Sequence, residues 1–509
     1  MKAIVKWRPR HRSGRCPAIL RGVQRRAPNV PGLQIFDRYA AFVDIDALKE
    51  FSTRPLRKSV RVNTLKCSVE AFRAHAEAEG WRLEPVPWCR EGFFVDRENR
   101  ERALGRDLLH LLGHFYMQEA ASMLPPALLD PQADEPVLDM SAAPGSKTTQ
   151  MAARMVGRGV VVASDVQENR IWTLITGLYR SGVTNAVVVK KVGQWYGKHM
   201  TERFDRVLVD APCTAQGTAR KDSDALRYCG LENVAKMARL QAELLEAGIH
   251  AAKVGGRIVY STCTLTPEEN EGVVVSMLNK FCDQLEVVDP DIALREEASA
   301  WNAGRAIEDS HRVQTSLCPN PKSLFPFLRL WPQTFDTEGF FCAVLRKTAP
   351  TRASLPMEPI DRQEEGVPPS RQREISKVLE ERYGTSFLDE GDVLIERGEQ
   401  ILVTTEDAWN FMLPTRDFAA GLPFAKRLAD GRMRISHEIV TLRGNRATRG
   451  VVDLADDRLA DLLGGKDIGC DADAYGDVIL RHGGLAIGRG LAKNGALKNN
   501  LPREVIQRS

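Results

Sequence analysis

Two cysteines stand directly after apolar segments that have the composition of buried strands. Cys213 follows the run Val-Leu-Val-Asp-Ala-Pro, and Cys263 follows the segment Arg257–Ser261. Because the thiolate is a strong nucleophile, two thiols at the ends of two strands of one sheet indicate a catalytic pair. A carboxyl group at Asp210, shortly before Cys213, is placed to take part in proton transfer.

Buried packing is the alternative interpretation of any cysteine, because unpaired cysteine is among the most buried residue types. None of the ten cysteines forms a Cys-x-x-Cys pair, so the sequence predicts neither a disulfide framework nor a metal site and favours a reducing, cytoplasmic location. We expect packing roles for seven of them: Cys67, Cys89, Cys229, Cys282, Cys318, Cys342 and Cys470.

A loop of small residues joins a predicted strand to a predicted helix. It consists of Ser141, Ala142, Ala143, Pro144, Gly145, Ser146 and Lys147. Small residues let a ligand approach the backbone, and free N–H groups at a helix start favour an anionic group. The P-loop and dinucleotide spacings are absent, whereas Asp165 ends the next strand and is placed to hold a ribose diol. A nucleoside with a carboxylate fits best, and a tight turn without a ligand is the alternative.

The elements that must position these residues alternate between strands and helices. The predicted strands are Val137–Met140, Val160–Ser164, Ala186–Val189, Arg206–Val209, Arg257–Ser261 and Gly339–Leu345. The predicted helices are Lys147–Met155, Glu168–Arg180, Val234–Ala252 and Pro267–Phe281. This alternation predicts an α/β fold with a doubly wound, mainly parallel sheet whose ligands bind at the carboxyl ends of the strands.

The length of 509 residues predicts several domains. We predict a basic extension over 1–33, an N-terminal RNA-binding region over 34–125, the α/β domain over 126–347, a linker over 348–373 and a separate C-terminal module over 374–509. The balance of 71 basic and 67 acidic residues neither requires nor excludes nucleic acid. No apolar run reaches the roughly 20 residues that a membrane span needs.

Several segments, present together and in order, resemble the Nop/Sun family of S-adenosylmethionine-dependent RNA (cytosine-5) methyltransferases. The similarity is greatest to its bacterial F-type branch, which acts on 16S ribosomal RNA. The similar segments are Asp139–Thr149, Asp210–Cys213, Ser261–Leu265, Arg61–Leu65, Phe115–Leu124, Arg220–Asp222 and Glu338–Phe341. The resemblance runs from about Arg54 to Lys347 and, more loosely, into the C-terminal residues 497–504.

This resemblance implies a Rossmann-like methyltransferase sheet with an antiparallel last strand and a C-terminal PUA-like RNA-binding module. It implies that the loop 141–147 holds the methionine part of S-adenosyl-L-methionine and that Asp165 holds its ribose, with Asp210 beside both cofactor and cytosine. Cys263 would attack the base and Cys213 would assist release. The family's acidic residue that faces the adenine amino group is replaced by Val192, which leaves adenine to apolar packing or to another residue.

The expected partner is ribosomal RNA or the small ribosomal subunit, bound by a monomer without a metal or a membrane. Candidate phosphate contacts are Arg54, Arg57, Lys58, Arg61, Arg220, Lys221 and the segment Arg489–Arg503. The alternative for the first four is a solvated strand edge. Transfer RNA is an alternative substrate, and a ribosome-assembly factor that binds RNA without catalysis is an alternative function.

Overall fold

The computed structural model describes residues 32–98, 103–222, 224–290, 326–353, 366–416, 418–471 and 474–506. Most of the predicted basic extension (residues 1–31) and residues 354–365 of the predicted linker lie outside these ranges. The described residues form four β-sheets, one in the N-terminal region, one in the α/β domain and two in the C-terminal region. In this part of the chain, no helix has both the length and the apolar character to span a membrane.

The N-terminal region contains a four-stranded antiparallel sheet and three helices. Its strands are β1 (Ser59–Val62), β2 (Trp81–Val86), β3 (Cys89–Arg97) and β4 (Phe115–Tyr116), in the order β2-β3-β1-β4. The helices are α1 (Ile45–Thr53), α2 (Val69–Ala78) and α3 (Leu108–Leu111). Phe72 of α2 packs against Phe93 and Phe115 of the sheet, which fixes α2 on one face.

The sequence predicts a helix that starts at Gly113 and is interrupted at Pro125 and Pro126, and this prediction is wrong. Both prolines lie in the first turn of α4 (Leu124–Leu129), where a missing N–H group leaves no hydrogen bond broken. The prolines therefore begin this helix. The residues before it form strand β4 and a short 3-10 turn at Ala121–Met123.

A nine-stranded sheet forms the centre of the molecule. Its strands are β5 (Pro136–Asp139), β6 (Val160–Asp165), β7 (Ala186–Lys190), β8 (Phe204–Asp210), β9 (Ala252–Thr262), β10 (Leu285–Val288), β11 (Leu328–Leu330), β12 (Phe340–Lys347) and β15 (Phe418–Ala420). The order is β10-β12-β9-β8-β5-β6-β7-β15, with β11 paired to β12. Strands β5 to β9 are parallel and β12 is antiparallel to β9, so the predicted Rossmann-like sheet is confirmed.

Helices cover both faces of this sheet and bury two apolar clusters against it. They are α5 (Ser146–Arg154), α6 (Glu168–Ser181), α7 (Gly193–His199), α8 (Leu231–Ala251), α9 (Glu271–Lys280) and α10 (Pro332–Phe335). The predicted start of α9 at Pro267 is wrong. Residues 267–270 instead form a turn, because the N–H groups of Asn270 and Gly272 bond to the carbonyl of Pro267.

The C-terminal region contains two further sheets. The first has β13 (Asp392–Arg397), β14 (Gln400–Thr405), β16 (Leu422–Arg427) and β17 (Met433–Ile435), with helices α11 (Pro369–Tyr383), α12 (Glu406–Asn410) and α13 (His437–Arg443). The second has β18 (Val451–Asp453), β19 (Ile468–Gly469), β20 (Gly476–His482), β21 (Leu485–Lys493) and β22 (Ala496–Asn499), with helix α14 (Asp456–Leu463).

The C-terminal region is joined to the central sheet, in contrast to the separate module that the sequence predicts. Strand β15 pairs with the edge strand β7, with Phe418 opposite Val189. The Thr404 hydroxyl donates to the carbonyl of Thr184 at 2.9 Å. This pairing covers an edge that would otherwise leave a row of backbone groups without partners.

Candidate active site

The two predicted cysteines lie together at the carboxyl end of the central sheet. Strands β8 and β9 are parallel neighbours in which Asp210 is paired with Ser261, so the loops that follow leave the sheet side by side. The sulfur atoms of Cys213 and Cys263 are 3.4 Å apart, within hydrogen-bonding distance. Both side chains are half-buried, so each remains open to a ligand.

Backbone contacts between three loops hold Cys263 in this place. The N–H group of Gly217 donates to the carbonyl of Cys263 at 2.9 Å, and that of Gly339 donates to the carbonyl of Gly217 at 2.9 Å. A Cβ atom at residue 217 would lie 2.2 Å from the carbonyl oxygen of Gly339. Glycine is therefore required where the Cys213 loop crosses the backbone before β12.

An ion pair lies beside the thiols. Lys147 Nζ is 2.8 Å from Asp210 Oδ2, and the Ser261 hydroxyl donates to Asp210 Oδ1 at 2.8 Å. Burial opposes the charge on Lys147, but Asp210 and then Asp139 and Cys263 together raise the pKa of the lysine above its ordinary value. Lys147 is therefore a cation at the site rather than the solvated charge that a helix-start lysine usually is.

The surroundings of the Cys213 thiol favour its protonated form. The hydrogen bond with Cys263, burial, and the negative charges of Cys263 and Glu269 raise the pKa of Cys213 well above its ordinary value. Lys147, in contrast, interacts with Cys263. Glu269 thus opposes a negative charge on Cys213, whereas Lys147 interacts with Cys263.

The small-residue loop lies where the sequence predicts it, between β5 and α5. Gly145 has a φ of 107°, a left-handed conformation that favours glycine, and α5 has no side chain that caps its first N–H groups. Asp139 accepts from the Thr148 hydroxyl at 2.8 Å, while its other oxygen is buried without a partner among the described residues. Burial raises the pKa of Asp139 to about 7. Free donors next to a free acceptor fit the carboxylate and amino groups of a ligand that resembles an amino acid.

Asp165 ends β6 beside this loop, as the sequence predicts. Its carboxylate accepts from the N–H groups of Ala143 at 3.3 Å and Gln167 at 3.0 Å. Val192 follows β7 and is 53% exposed, and Val166, which follows Asp165, is 51% exposed. Two exposed valines after adjacent strands offer an apolar surface next to a carboxylate.

A buried carboxylate lies behind the thiols, and the sequence alone does not identify it. Glu269 is fully buried and accepts from the backbone N–H of Thr214 at 3.0 Å and from the amide of Gln241 at 2.9 Å. The sequence placed Glu269 inside a helix, where a glutamate is ordinary. Its partners Thr214 and Gln241 come from distant segments, so no local sequence pattern predicts these contacts. Within the described residues, no cluster of three or more side chains could hold a metal ion.

Two of the predicted phosphate contacts are wrong. Arg61 is buried and donates to Gln118, to the carbonyl of Ser146 and to the Thr149 hydroxyl, so it fixes the start of α5. The Arg220 side chain is 1% exposed and pairs with Asp336.

The other predicted basic residues remain candidates for phosphate contact. Arg54, Lys58 and Lys221 are exposed. Arg57 and Arg489 are half-buried, and Arg57 pairs with Glu84.

The prediction of packing roles for the other cysteines is correct for five of the six that the structure describes. Cys89, Cys229 and Cys342 are buried, and the half-buried Cys67 and Cys470 each pack against an apolar cluster. Cys282 is exposed, so its predicted packing role is wrong. Cys318 lies outside the described residues.

Comparison with known proteins places this site in a family. The profile of 16S rRNA methyltransferase RsmB/F matches residues 126–346, which include both cysteines and the small-residue loop. A protein named ribosomal RNA small subunit methyltransferase F from Shewanella sp. (strain MR-7) is 36% identical over 484 residues, 92% of this chain and 94% of that protein. The chain belongs to the RsmB/F family of 16S rRNA methyltransferases. This confirms the predicted family and the RNA methyltransferase class.

Other matches extend the RsmB/F assignment along the chain. The N-terminal domain of RsmF matches residues 37–120, and the RsmF PUA domain matches residues 449–507. The predicted C-terminal PUA domain is thus confirmed, and its match coincides with the sheet of β18 to β22. The sheet of β13, β14, β16 and β17 lies before that match.

A further relative agrees with this assignment, and a solved structure agrees with the fold. The methyltransferase F of Aeromonas hydrophila is 36% identical over 474 residues, 92% of this chain and 94% of that protein. The crystal structure of NSun6 from Pyrococcus horikoshii with SFG has a TM-score of 0.52 at 23% identity, covering 63% of this chain and 98% of that one. That structure supports the fold alone.

Proposed function

We propose that this chain transfers a methyl group from S-adenosyl-L-methionine to C5 of a cytosine in 16S ribosomal RNA. The names of the RsmB/F family and of its relatives support the substrate. The observation that carries the chemistry is the thiol pair, 3.4 Å apart, beside the ion pair of Lys147 and Asp210. A protein that only bound RNA would not need two thiols with opposite electrostatic surroundings.

Cytosine C5 is a poor nucleophile, and a thiolate overcomes this by adding at the neighbouring carbon. In the proposed reaction, Cys263 forms a bond from its sulfur to C6, and the C5–C6 electron pair becomes available to C5. The Asp210 carboxyl group, 2.8 Å from Lys147 Nζ, is the group placed to contact the N3 and N4 edge of the base and to control the charge at N3. When bound, S-adenosyl-L-methionine supplies the methyl group that C5 takes up. The loop 141–147 and Asp165 would hold S-adenosyl-L-methionine beside the base.

Cys213 then removes the C5 proton. Once Cys263 is bonded to C6, it is uncharged, and the two contributions of Cys263 that raise the pKa of Cys213 are gone. Cys213 can therefore release its proton to solvent and act as a base. As Cys213 takes the proton from C5, that electron pair restores the C5–C6 double bond, and the sulfur–carbon pair returns to Cys263 as thiolate. The site is then in its starting state, with one proton released overall.

The target base must leave its stack to reach the thiols, at a cost of a few kcal/mol. Contacts between basic side chains and phosphate offset part of this cost. Exposed Lys58 and Lys221, together with the PUA domain, are the proposed contacts.

Bisulfite sequencing of RNA from a strain that lacks this protein tests the substrate. We expect one cytosine in 16S ribosomal RNA to lose protection, and expression of the chain to restore it. Loss of a mark in transfer RNA would redirect the proposal to that substrate. Loss of no mark would favour an assembly factor without catalysis.

Two cysteine variants test the division of labour between the thiols. Cys263→Ala should abolish methyl transfer, because no sulfur remains to attack C6. Cys213→Ala should accumulate a covalent protein–RNA adduct on a denaturing gel, because the C5 proton is not removed. Transfer by Cys263→Ala, together with loss of activity without an adduct in Cys213→Ala, would reverse the roles.

A further inference from the structure

Glu269 connects to the residues on both sides of Cys213. The carboxylate accepts from the backbone N–H of Thr214 at 3.0 Å and from the Thr214 hydroxyl. The amide of Gln241 donates both to Glu269 at 2.9 Å and to the carbonyl of Pro212 at 2.8 Å. The residue before Cys213 and the residue after it are thus held by one carboxylate.

The turn 267–270, which contains Glu269, also holds the Cys263 loop. The Thr264 hydroxyl lies 3.0 Å from that of Thr214 and 3.4 Å from Glu269 Oε1. The side chain of Asn270, next in the chain, accepts from the Thr262 hydroxyl at 2.5 Å and donates to the carbonyl of Thr264 at 3.0 Å. Residues 269 and 270 therefore connect both cysteine loops across the ends of β8 and β9.

Hydrogen-bond donors surround the carboxylate of Glu269 on both oxygens. The Thr214 N–H, the hydroxyls of Thr214, Thr264 and Thr266 and the amide of Gln241 are five donors within 3.4 Å of these oxygens. All are uncharged, and the glutamate is fully buried. Its negative charge is therefore screened neither by water nor by a counter-ion among these partners.

This charge acts on Cys213. The titratable groups that face Cys213 are Cys263, Glu269 and Tyr260, whereas Lys147 acts on Cys263. A negative charge disfavours a second negative charge nearby.

We propose that Glu269 is a positioning residue that holds the two cysteine loops together and sets a negative charge against Cys213. Cys213 thereby keeps its proton in the resting enzyme. The catalytic meaning of this arrangement rests on the proposed function, but the arrangement itself can be measured without RNA.

Pulsed alkylation with iodoacetamide, read by mass spectrometry at each cysteine of the full-length chain, tests the proposal. In the native protein near pH 7, Cys263 should react faster than Cys213. Glu269→Gln keeps the length of the side chain but removes its charge, so the ratio of the two rates should fall about tenfold, which corresponds to one pKa unit. The pH at which Cys213 becomes reactive should also fall. Glu268→Gln, at the exposed neighbouring residue, is the matched control and should change neither quantity.

Thr214→Val tests the positioning of the two loops separately from the charge of Glu269. It leaves the Glu269 side chain unchanged but removes the hydroxyl that joins the two loops. Methyl transfer should therefore slow at least severalfold, while the alkylation preference for Cys263 remains. If Glu269→Gln does not fold, Thr214→Val still tests the positioning role. A native alkylation ratio in folded Glu269→Gln, or native methyl transfer in Thr214→Val, would overturn the proposal. Because alkylation needs neither RNA nor cofactor, these outcomes stay distinct from a failure of the bisulfite test.

Discussion

A few charged side chains give the two thiols of the site different electrostatic surroundings. Lys147 brings a positive charge to Asp210 and Cys263, and Glu269 brings a negative charge to Cys213. Ser261 holds the second oxygen of Asp210, so the carboxylate cannot rotate freely. The two thiols thus lie side by side in different electrostatic surroundings.

Replacement of Lys147 tests this electrostatic arrangement. Lys147→Met should lower the turnover rate of methyl transfer about 100-fold, the order found when one group that stabilises charge is removed. Single-turnover kinetics with saturating RNA measure this rate. Lys280→Met, which removes an exposed ion pair with Glu246, is the control and should leave the rate unchanged. A native rate in Lys147→Met would mean that the ion pair has no part in the reaction.

At the scale of elements, the site exists because the register between β8 and β9 brings two loops together. The loop after β8 then crosses the backbone before β12 at Gly217, where no side chain fits. The loop after β9 ends in the turn 267–270, which replaces the first turn of the helix that the sequence predicts. Loop geometry, rather than helix length, places the carboxylate of Glu269.

Gly217→Ala should disturb this crossing. The added methyl group would force apart the loops of Gly339 and Cys263, with an expected loss of about 1–3 kcal/mol in the free energy of unfolding. Methyl transfer should fall as well, because the carbonyl of Cys263 is displaced. Gly230→Ala is the matched control, since nothing lies within 4 Å of a Cβ atom there. Equal denaturation midpoints for the two variants would contradict the predicted steric clash.

At the scale of the whole molecule, the C-terminal region is part of the structure that surrounds the central sheet. Besides the pairing of β15 with β7, the side chain of Asp407 accepts from the backbone N–H of Gly159 at 2.9 Å. Lys66 of the N-terminal region donates to the Thr441 hydroxyl at 2.9 Å and to the carbonyl of Arg180 at 2.8 Å. One side chain thus connects all three regions.

Truncation after Lys347 should therefore weaken more than RNA binding. We expect the melting temperature to fall and self-association to appear, because the edge of β7 becomes exposed. Differential scanning calorimetry and light scattering measure these effects. A truncated chain that melts at the temperature of the full chain and stays monomeric would show that the regions are independent.

Acid should destabilise the molecule. Burial lowers the pKa of His110 and His250 to about 4 and of His114 and His437 to about 3. Between these values and the ordinary histidine pKa, the unfolded chain binds more protons, so stability falls as the pH falls through that window. Burial also raises the pKa of Asp139 to about 7 and of Glu338 to about 8, and it raises the pKa of Glu119. These carboxyl groups have the opposite effect but are three groups against four.

The melting temperature should accordingly be lower at pH 5 than at pH 6.5. Scanning calorimetry in buffers of equal ionic strength measures the difference. His114→Gln and His437→Gln, which cannot take up a proton, should reduce the difference. A melting temperature that rises on acidification would mean that the three carboxyl groups outweigh the histidines.

The sequence by itself determined the α/β order, the small-residue loop, the thiols and Asp210, because these depend on local patterns: apolar periodicity, strand ends and motif spacing. Tertiary structure decided what depends on contacts between distant segments. Arg61 and Arg220 carry the same charge as exposed arginines, and only packing turned them from candidate RNA contacts into buried supports. The short strand β15 has too few residues for a periodic signal, and it exists because β7 offers an edge. Likewise, the two cysteines are equivalent in the sequence, and only the three-dimensional positions of Lys147 and Glu269 give the sulfurs different surroundings.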